Sequence, residues 1–232
     1  MVTLVLLPGM DGTGDLFAPF VTALGPEFKV VIARYPGDRD LGYSELESIA
    51  REILPSNEPY IILGESFSGP IAISLAASAP VQLKGLVLCC TFARNPRPAF
   101  TALRPLIDLL PTGSMPVRLM SHLLLGKFSN TILRSMIRQS MAKISAAALR
   151  ARLRAVLSVD VSNELEKTKI PLLYLRASQD RVVPRAASEL IARLCGHVNI
   201  VELEAPHFLL QAVPLYASRV VSEFMREVET TF

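Results

Sequence analysis

Six short runs of uninterrupted apolar residues constrain this chain more than any other feature. They cover residues 2–7, 30–33, 60–63, 86–90, 171–175 and 198–203, and most stop at a Gly, Pro or polar residue. A strand with one wet face alternates apolar and polar residues. An unbroken apolar run fits a strand buried on both faces, as in a parallel sheet covered by helices. Helical patterns at 16–24, 44–54, 67–79, 186–195 and 210–229 lie between or after the runs. Strand and helix therefore alternate, which predicts an α/β fold with a mostly parallel, doubly wound sheet of about six strands.

The alternation breaks once. Between Cys90 and Pro171 there is no convincing strand, and Pro96, Pro98, Pro105, Pro111 and Pro116 punctuate the first part. Two helical faces follow, one of Ile132, Leu133, Met136 and Ile137, the other of Ala148, Leu149, Leu153, Val156 and Leu157. This pattern predicts a core built from 1–94 and 166–232, with 95–165 inserted as a helical cap. With 232 residues, half of them apolar and 19% charged, the chain can bury a sizeable core.

The formal charge of +3 conceals an asymmetry. Residues 94–154 carry eleven Lys/Arg against one acid, Asp108, a formal +10, while the remainder holds 13 basic and 20 acidic residues, or −7. A mean hydropathy of +0.38 calls for a check on membrane spans. The longest uncharged stretch, 66–83, contains four serines, Gly69, Pro70 and Pro80, which suits a buried helix and not a stable span. The first apolar run lacks the basic flank of a signal peptide. Cys89, Cys90 and Cys195 offer neither metal spacing nor an even disulfide set, so a cytoplasmic location is expected.

In a doubly wound sheet the active groups gather at the carboxyl ends of the strands. The third run ends in Gly64-Glu65-Ser66-Phe67-Ser68-Gly69 before a helix. A serine flanked by small residues at a strand-to-helix turn is a nucleophile elbow, here with Ser68 where glycine is usual. Such a serine needs a base, and only three histidines exist. His122 lies in the helical insertion and His197 precedes the last strand, whereas His207 follows it, at the carboxyl end. Asp180 follows the fifth strand and is placed to orient His207. After the first strand comes Pro8-Gly9-Met10-Asp11-Gly12-Thr13-Gly14. The backbone N–H groups of Met10 and Phe67 are candidate donors to an oxyanion. This turn has neither the lysine of a phosphate loop nor a dinucleotide fingerprint.

Through LLPGMDGTG, GESFSG, SQDRVVP and APHF, in this order, the chain resembles the α/β-hydrolase superfamily over nearly its whole length. The resemblance implies Ser66 as nucleophile, His207 as base, Asp180 as orienting acid, and Met10 and Phe67 as oxyanion donors, with no cofactor and no metal. The insertion matches the position of that family's cap. With the first strand beginning near Val2, the family's usual N-terminal hairpin is expected to be absent, and six core strands are expected in place of eight. The segment DVSNELEKTKIPLLYLRASQDRVVPR is similar to pimeloyl-acyl-carrier-protein methyl ester esterases of biotin synthesis. The LPGMDGTG opening and the GESFSG elbow are also similar to plant esterase/lipase/thioesterase-type acyltransferases.

The resemblance leads to the expectation of a serine carboxylesterase acting on a small acyl ester through an acyl-enzyme. The basic insertion, with Arg134 and Arg138 on one helix face and Arg150 and Arg154 on another, suggests an anionic partner: an acidic acyl carrier protein, which the resemblance favours, an acyl-CoA or an anionic lipid surface. A merely solvated helix face is the plain alternative. No nucleic-acid reading motif accompanies the charge. The other readings are a lysophospholipase, thioesterase or acyltransferase acting on anionic acyl substrates, and a non-catalytic receptor on the hydrolase fold.

Overall fold

The computed structural model describes residues 2–109 and 117–230. Six strands form one sheet: β1 (Thr3–Leu7), β2 (Val30–Ile32), β3 (Tyr60–Glu65), β4 (Leu83–Cys89), β5 (Leu172–Ala177) and β6 (Val198–Leu203). Their order is β2-β1-β3-β4-β5-β6, and every adjacent pair is parallel. The interior strands β1 and β3 are buried at every position, as unbroken apolar runs require. β6, at an edge, turns Asn199 and Glu202 to solvent.

Successive residues of a strand face opposite sides, and the core divides accordingly. Val5 and Leu7 of β1 join a cluster with α2 (Tyr43–Glu52), α3 (Gly69–Ala77), α7 (Ser162–Lys167) and α8 (Arg185–Leu194). Leu4 and Leu6 join the opposite cluster, with α1 (Ala18–Leu24), α9 (Leu209–Ala212) and α10 (Pro214–Glu229). Each fully buried Leu or Ile contributes roughly 1.5–3 kcal/mol. The chain runs from β1 outward to β2 and then returns across β1 to β3. The topological switch point therefore lies between the carboxyl ends of β1 and β3, where such sheets place their sites.

Between β4 and β5 the described residues include a 3-10 stretch (Pro98–Leu109), α4 (Val117–Leu125), α5 (Thr131–Met141), α6 (Ala146–Ser158) and α7. Pro98 and Pro105 lack an amide donor, in keeping with a 3-10 stretch there in place of an α-helix. Pro111 and Pro116 lie outside the described residues. Asn130 and Ser145 cap α5 and α6 by accepting from the amides of Leu133 and Ala148. The apolar face expected on α5 is narrower than its sequence pattern: Leu133, Met136 and Ile137 pack inward, but Ile132 is 72% exposed. The final helix is also interrupted. α9 ends before Val213, whose ψ of 53° leaves the helical region, and Pro214 opens α10. Among the described residues no helix is long and apolar enough to cross a membrane.

Candidate active site

β3 ends at Glu65, and a 3-10 turn of Ser66–Ser68 leads into α3. Ser66 has a φ of 48°, a left-handed conformation costing a non-glycine residue roughly 1–2 kcal/mol. The surroundings hold it there. Thr91 Oγ1 donates to the Ser66 carbonyl, and the Phe67 ring stacks on Tyr43 with centroids 4.7 Å apart. Glycine is required on either side by close approach. A Cβ on Gly69 would lie 1.9 Å from Thr91 Oγ1, and one on Gly64 would lie 2.7 Å from Ala72 Cβ. Ser68, the departure from the common pattern, is fully buried. Its Oγ donates to Pro8 O and sits 3.0 Å from Tyr35 Oη, tying the elbow to the turn after β1.

His207 follows β6 and sits with its Nε2 2.8 Å from Ser66 Oγ. Its Nδ1 is 2.8 Å from Asp180 Oδ2. The other carboxylate oxygen, Oδ1, accepts from the amides of Val182 and Val183 at 2.8 and 2.9 Å, so Asp180 is fixed at both oxygens. An imidazole donating from Nδ1 to Asp180 presents Nε2 as an acceptor to the Ser66 hydroxyl. The loops that carry Asp180 and His207 are joined by Gln179 N to Ala205 O, 3.0 Å. The structure thus brings Ser66, His207 and Asp180 together in one hydrogen-bonded chain. The other histidines stand elsewhere. His122 Nε2 is 2.8 Å from Arg181 Nη1, and His197, at the amino end of β6, is 3.0 Å from Ile170 O.

Four neighbours of this chain were not assigned from sequence. Cys90 Sγ, Asp180 and His207 offer atoms within 4.8 Å of one another, and burial pushes the Cys90 thiol pKa up. Glu65 is 5% exposed, and its Oε1 accepts from Gln211 Nε2 at 2.9 Å. Burial raises its pKa to about 7; the nearby Asp11 adds to the rise, while Gln211, His207 and the Gly9 amide oppose it. Asp11 shapes the turn after β1: its Oδ2 accepts from Thr13 N at 3.0 Å and from Ser140 Oγ of α5 at 2.6 Å. Arg152 of α6 is fully buried, reaches Met10 O and Pro36 O, and lies 5.9 Å from the Tyr35 ring centroid. The two sequence-assigned oxyanion donors, Met10 N–H and Phe67 N–H, belong to these braced turns. A sequence gives the identity of Glu65 and Arg152 but not their direction, and only the fold shows that both point inward.

The four arginines singled out by spacing have different settings. Arg154 forms ion pairs with Asp40, at 2.7 Å, and with Asp108. Arg150 is half-buried, whereas Arg138 is exposed. Arg134 donates weakly to Ser129 Oγ and Thr131 Oγ1, at 3.3 and 3.4 Å. Lys143 pairs with Asp15 and Lys127 with Glu204. Carboxylates from outside the basic segment therefore offset part of its +10.

Residues 4–219 match the alpha/beta hydrolase family, and the chain belongs to it. It is 27% identical over 215 residues to a pimeloyl-[acyl-carrier protein] methyl ester esterase of Xanthomonas oryzae pv. oryzae, covering 84% of this chain and 83% of that protein. Among solved structures, a hydrolase from Oleispira antarctica superposes with a TM-score of 0.84 at 16% identity, covering 97% of this chain and 91% of the other. A thermophilic esterase from Thermogutta terrifontis gives 0.83 at 20% identity, covering 98% and 90%. Family and relatives together put the protein among the carboxylic ester hydrolases.

Proposed function

We propose that this hydrolase is a serine carboxylesterase in which Ser66 is the nucleophile, His207 the general base and Asp180 the orienting acid. The observation that carries the reading is the chain Asp180 Oδ2–His207 Nδ1, His207 Nε2–Ser66 Oγ, with both contacts at 2.8 Å on a left-handed elbow. His207 takes the Ser66 proton as Oγ attacks the ester carbonyl. The tetrahedral oxyanion is held by the N–H groups of Met10 and Phe67. Collapse expels the alcohol, protonated by His207. Water activated by the same imidazole then releases the acid from the acyl-enzyme and restores Ser66.

The residues at 95–165 act as a lid in this reading. The partly buried Met120, Met136 and Phe208, packed on the buried Leu125, Leu133 and Ile137, offer an apolar wall for an acyl chain. The substrate we favour is an ester on an acyl chain borne by an acidic carrier protein, such as the pimeloyl methyl ester named for the relative above, with the protein working in the cytoplasm in biotin synthesis. Arg138 and Arg134 are the cap cations best placed to meet that carrier, because Arg154 already pairs with two carboxylates of this chain.

The test is hydrolysis of p-nitrophenyl acyl esters by wild type and Ser66→Ala, together with fluorophosphonate labelling. Loss of at least a thousandfold in rate and loss of the label are expected. Unchanged hydrolysis by the variant would sink the assignment. A panel of free and carrier-borne methyl esters then separates the carrier reading from a general esterase.

A further inference from the structure

The geometry points to an oxyanion-binding pocket in the lid, beside the catalytic acid, that receives a carboxylate or phosphate group of the substrate. This deepens the esterase reading and rests on it for the identity of the molecule that bears the anion.

A cavity of about 510 Å³ is lined by Ser121, His122, Gly126, Ser129 and Arg134. That is within the usual range for a small-molecule site. Ser66 is not among its walls, so the cavity is separate from the reaction centre. Arg181, an exposed side chain, adjoins this space through two of its lining residues: its Nη1 lies 2.8 Å from His122 Nε2 and 3.2 Å from His122 O, and its guanidinium packs within 4 Å of where a Gly126 side chain would begin. One guanidinium, an imidazole and hydroxyls thus line the space, and a second guanidinium stands beside it against His122.

The charge balance selects this cluster from the rest of the basic segment. Arg154, Lys143 and Lys127 each have a carboxylate of this chain within ion-pair distance. No carboxylate pairs with Arg134 or Arg181 among the described residues; their polar contacts are hydroxyls, carbonyls and an imidazole, none of which supplies negative charge. Two cations, one lining the cavity and one beside it, neither paired with a carboxylate among the described residues, raise the local concentration of anions and present planar forks that match a carboxylate or a phosphate. The position suits a substrate spanning both places. Arg181 directly follows Asp180, and the end of α4 is bonded to the base loop through Phe208 N to Leu124 O at 3.1 Å. Phe208, next to His207, packs against the cluster of α4 and α5, the helices that also carry Ser121, His122 and Arg134, so an acyl chain directed from the Ser66 site past Phe208 would carry its distal anion toward Arg134 and Arg181.

Three p-nitrophenyl esters of equal acyl length test this, one ending in methyl, one in carboxylate and one in phosphonate. At least one charged ester is expected to exceed the neutral one about tenfold in kcat/KM, mainly through KM. Arg134→Gln and Arg181→Gln should each lower the charged-to-neutral ratio about tenfold, and Arg181→Lys should keep part of it. A larger preference for phosphonate identifies a phosphate group, and the reverse identifies a carboxylate. A second arm does not need turnover: calorimetric titration of Ser66→Ala protein with inorganic phosphate and with glutarate. Saturable binding of one of them, abolished in the double Gln variant, is expected. A wild-type ratio near one, substitutions that leave the ratio intact, or no saturable binding of either probe would each overturn the pocket. Failure of the esterase reading looks different, with no ester cleaved and no fluorophosphonate adduct on Ser66.

Discussion

Arg152 Nη1 donates to the carbonyl oxygen of Met10 at 2.7 Å, and Nη2 of the same guanidinium donates to Pro36 O at 2.9 Å. A fully buried cation on α6 therefore braces the turn whose Met10 N–H is assigned to the oxyanion. Replacing it with methionine leaves two carbonyls short of a donor. Arg152→Met is expected to lower stability by about 2–4 kcal/mol and to reduce kcat more than it raises KM. Lysine reaches one carbonyl but not both, so Arg152→Lys should fall between. Urea unfolding and ester kinetics on the same preparations check both effects.

Glu65 gives a stability signature with a definite sign. Its folded pKa, raised by burial to about 7, exceeds the usual 4.5, so the folded state binds more protons than the unfolded one between those values. Stability is then greatest below about pH 4.5 as far as this group is concerned, and is lost as pH rises to 7. The total is about 3 kcal/mol. Asp11 faces the same carboxyl and opposes its ionisation, while His207 favours it. Glu65→Gln should remove most of this slope. Urea midpoints at pH 5 and pH 8 for the two proteins measure it, and equal slopes would refute the assignment.

The elbow predicts a conflict between stability and activity at Ser66. Alanine and glycine both remove the hydroxyl proposed as the nucleophile, but only glycine adopts a φ of 48° without strain. Ser66→Gly is expected to be inactive and more stable than Ser66→Ala by about 1 kcal/mol. Denaturant unfolding of the two variants compares them directly.

The two arginine faces should respond differently to charge reversal. Arg154→Glu sets a carboxylate against Asp40 and Asp108, and a loss of about 1 kcal/mol in stability is expected. Arg138→Glu should leave stability within about 0.5 kcal/mol while lowering the rate on a carrier-borne ester. Melting curves read beside rates on free and carrier-borne substrate separate lid folding from partner recognition.

The sheet was legible because its interior strands are buried on both faces and so appear as unbroken apolar runs. Ser66, Asp180 and His207 could be picked out because the chain has only three histidines and each of the three residues follows a strand. Other features depended on contacts between distant residues. Nothing local separates Arg152 from the other cations of the basic segment, yet among the described side chains it alone of them is fully buried. The offsetting of that segment by Asp15, Asp40 and Glu204 depends on pairs 77–128 positions apart, which no window of sequence contains. The break at Val213 was missed because α9 and α10 share one apolar rhythm across it.

The bond from Phe208 N to Leu124 O also bears on how such lids can be exchanged. The base loop takes one of its backbone partners from the inserted segment, and the turn after β1 takes another through Arg152. A transplanted lid that covers the same opening but lacks a carbonyl at the first place and a guanidinium at the second would arrive as a shape without its fastenings. Swaps within this architecture should therefore be designed outward from residues 124 and 152, with the solvent-facing surface of the lid left free to vary.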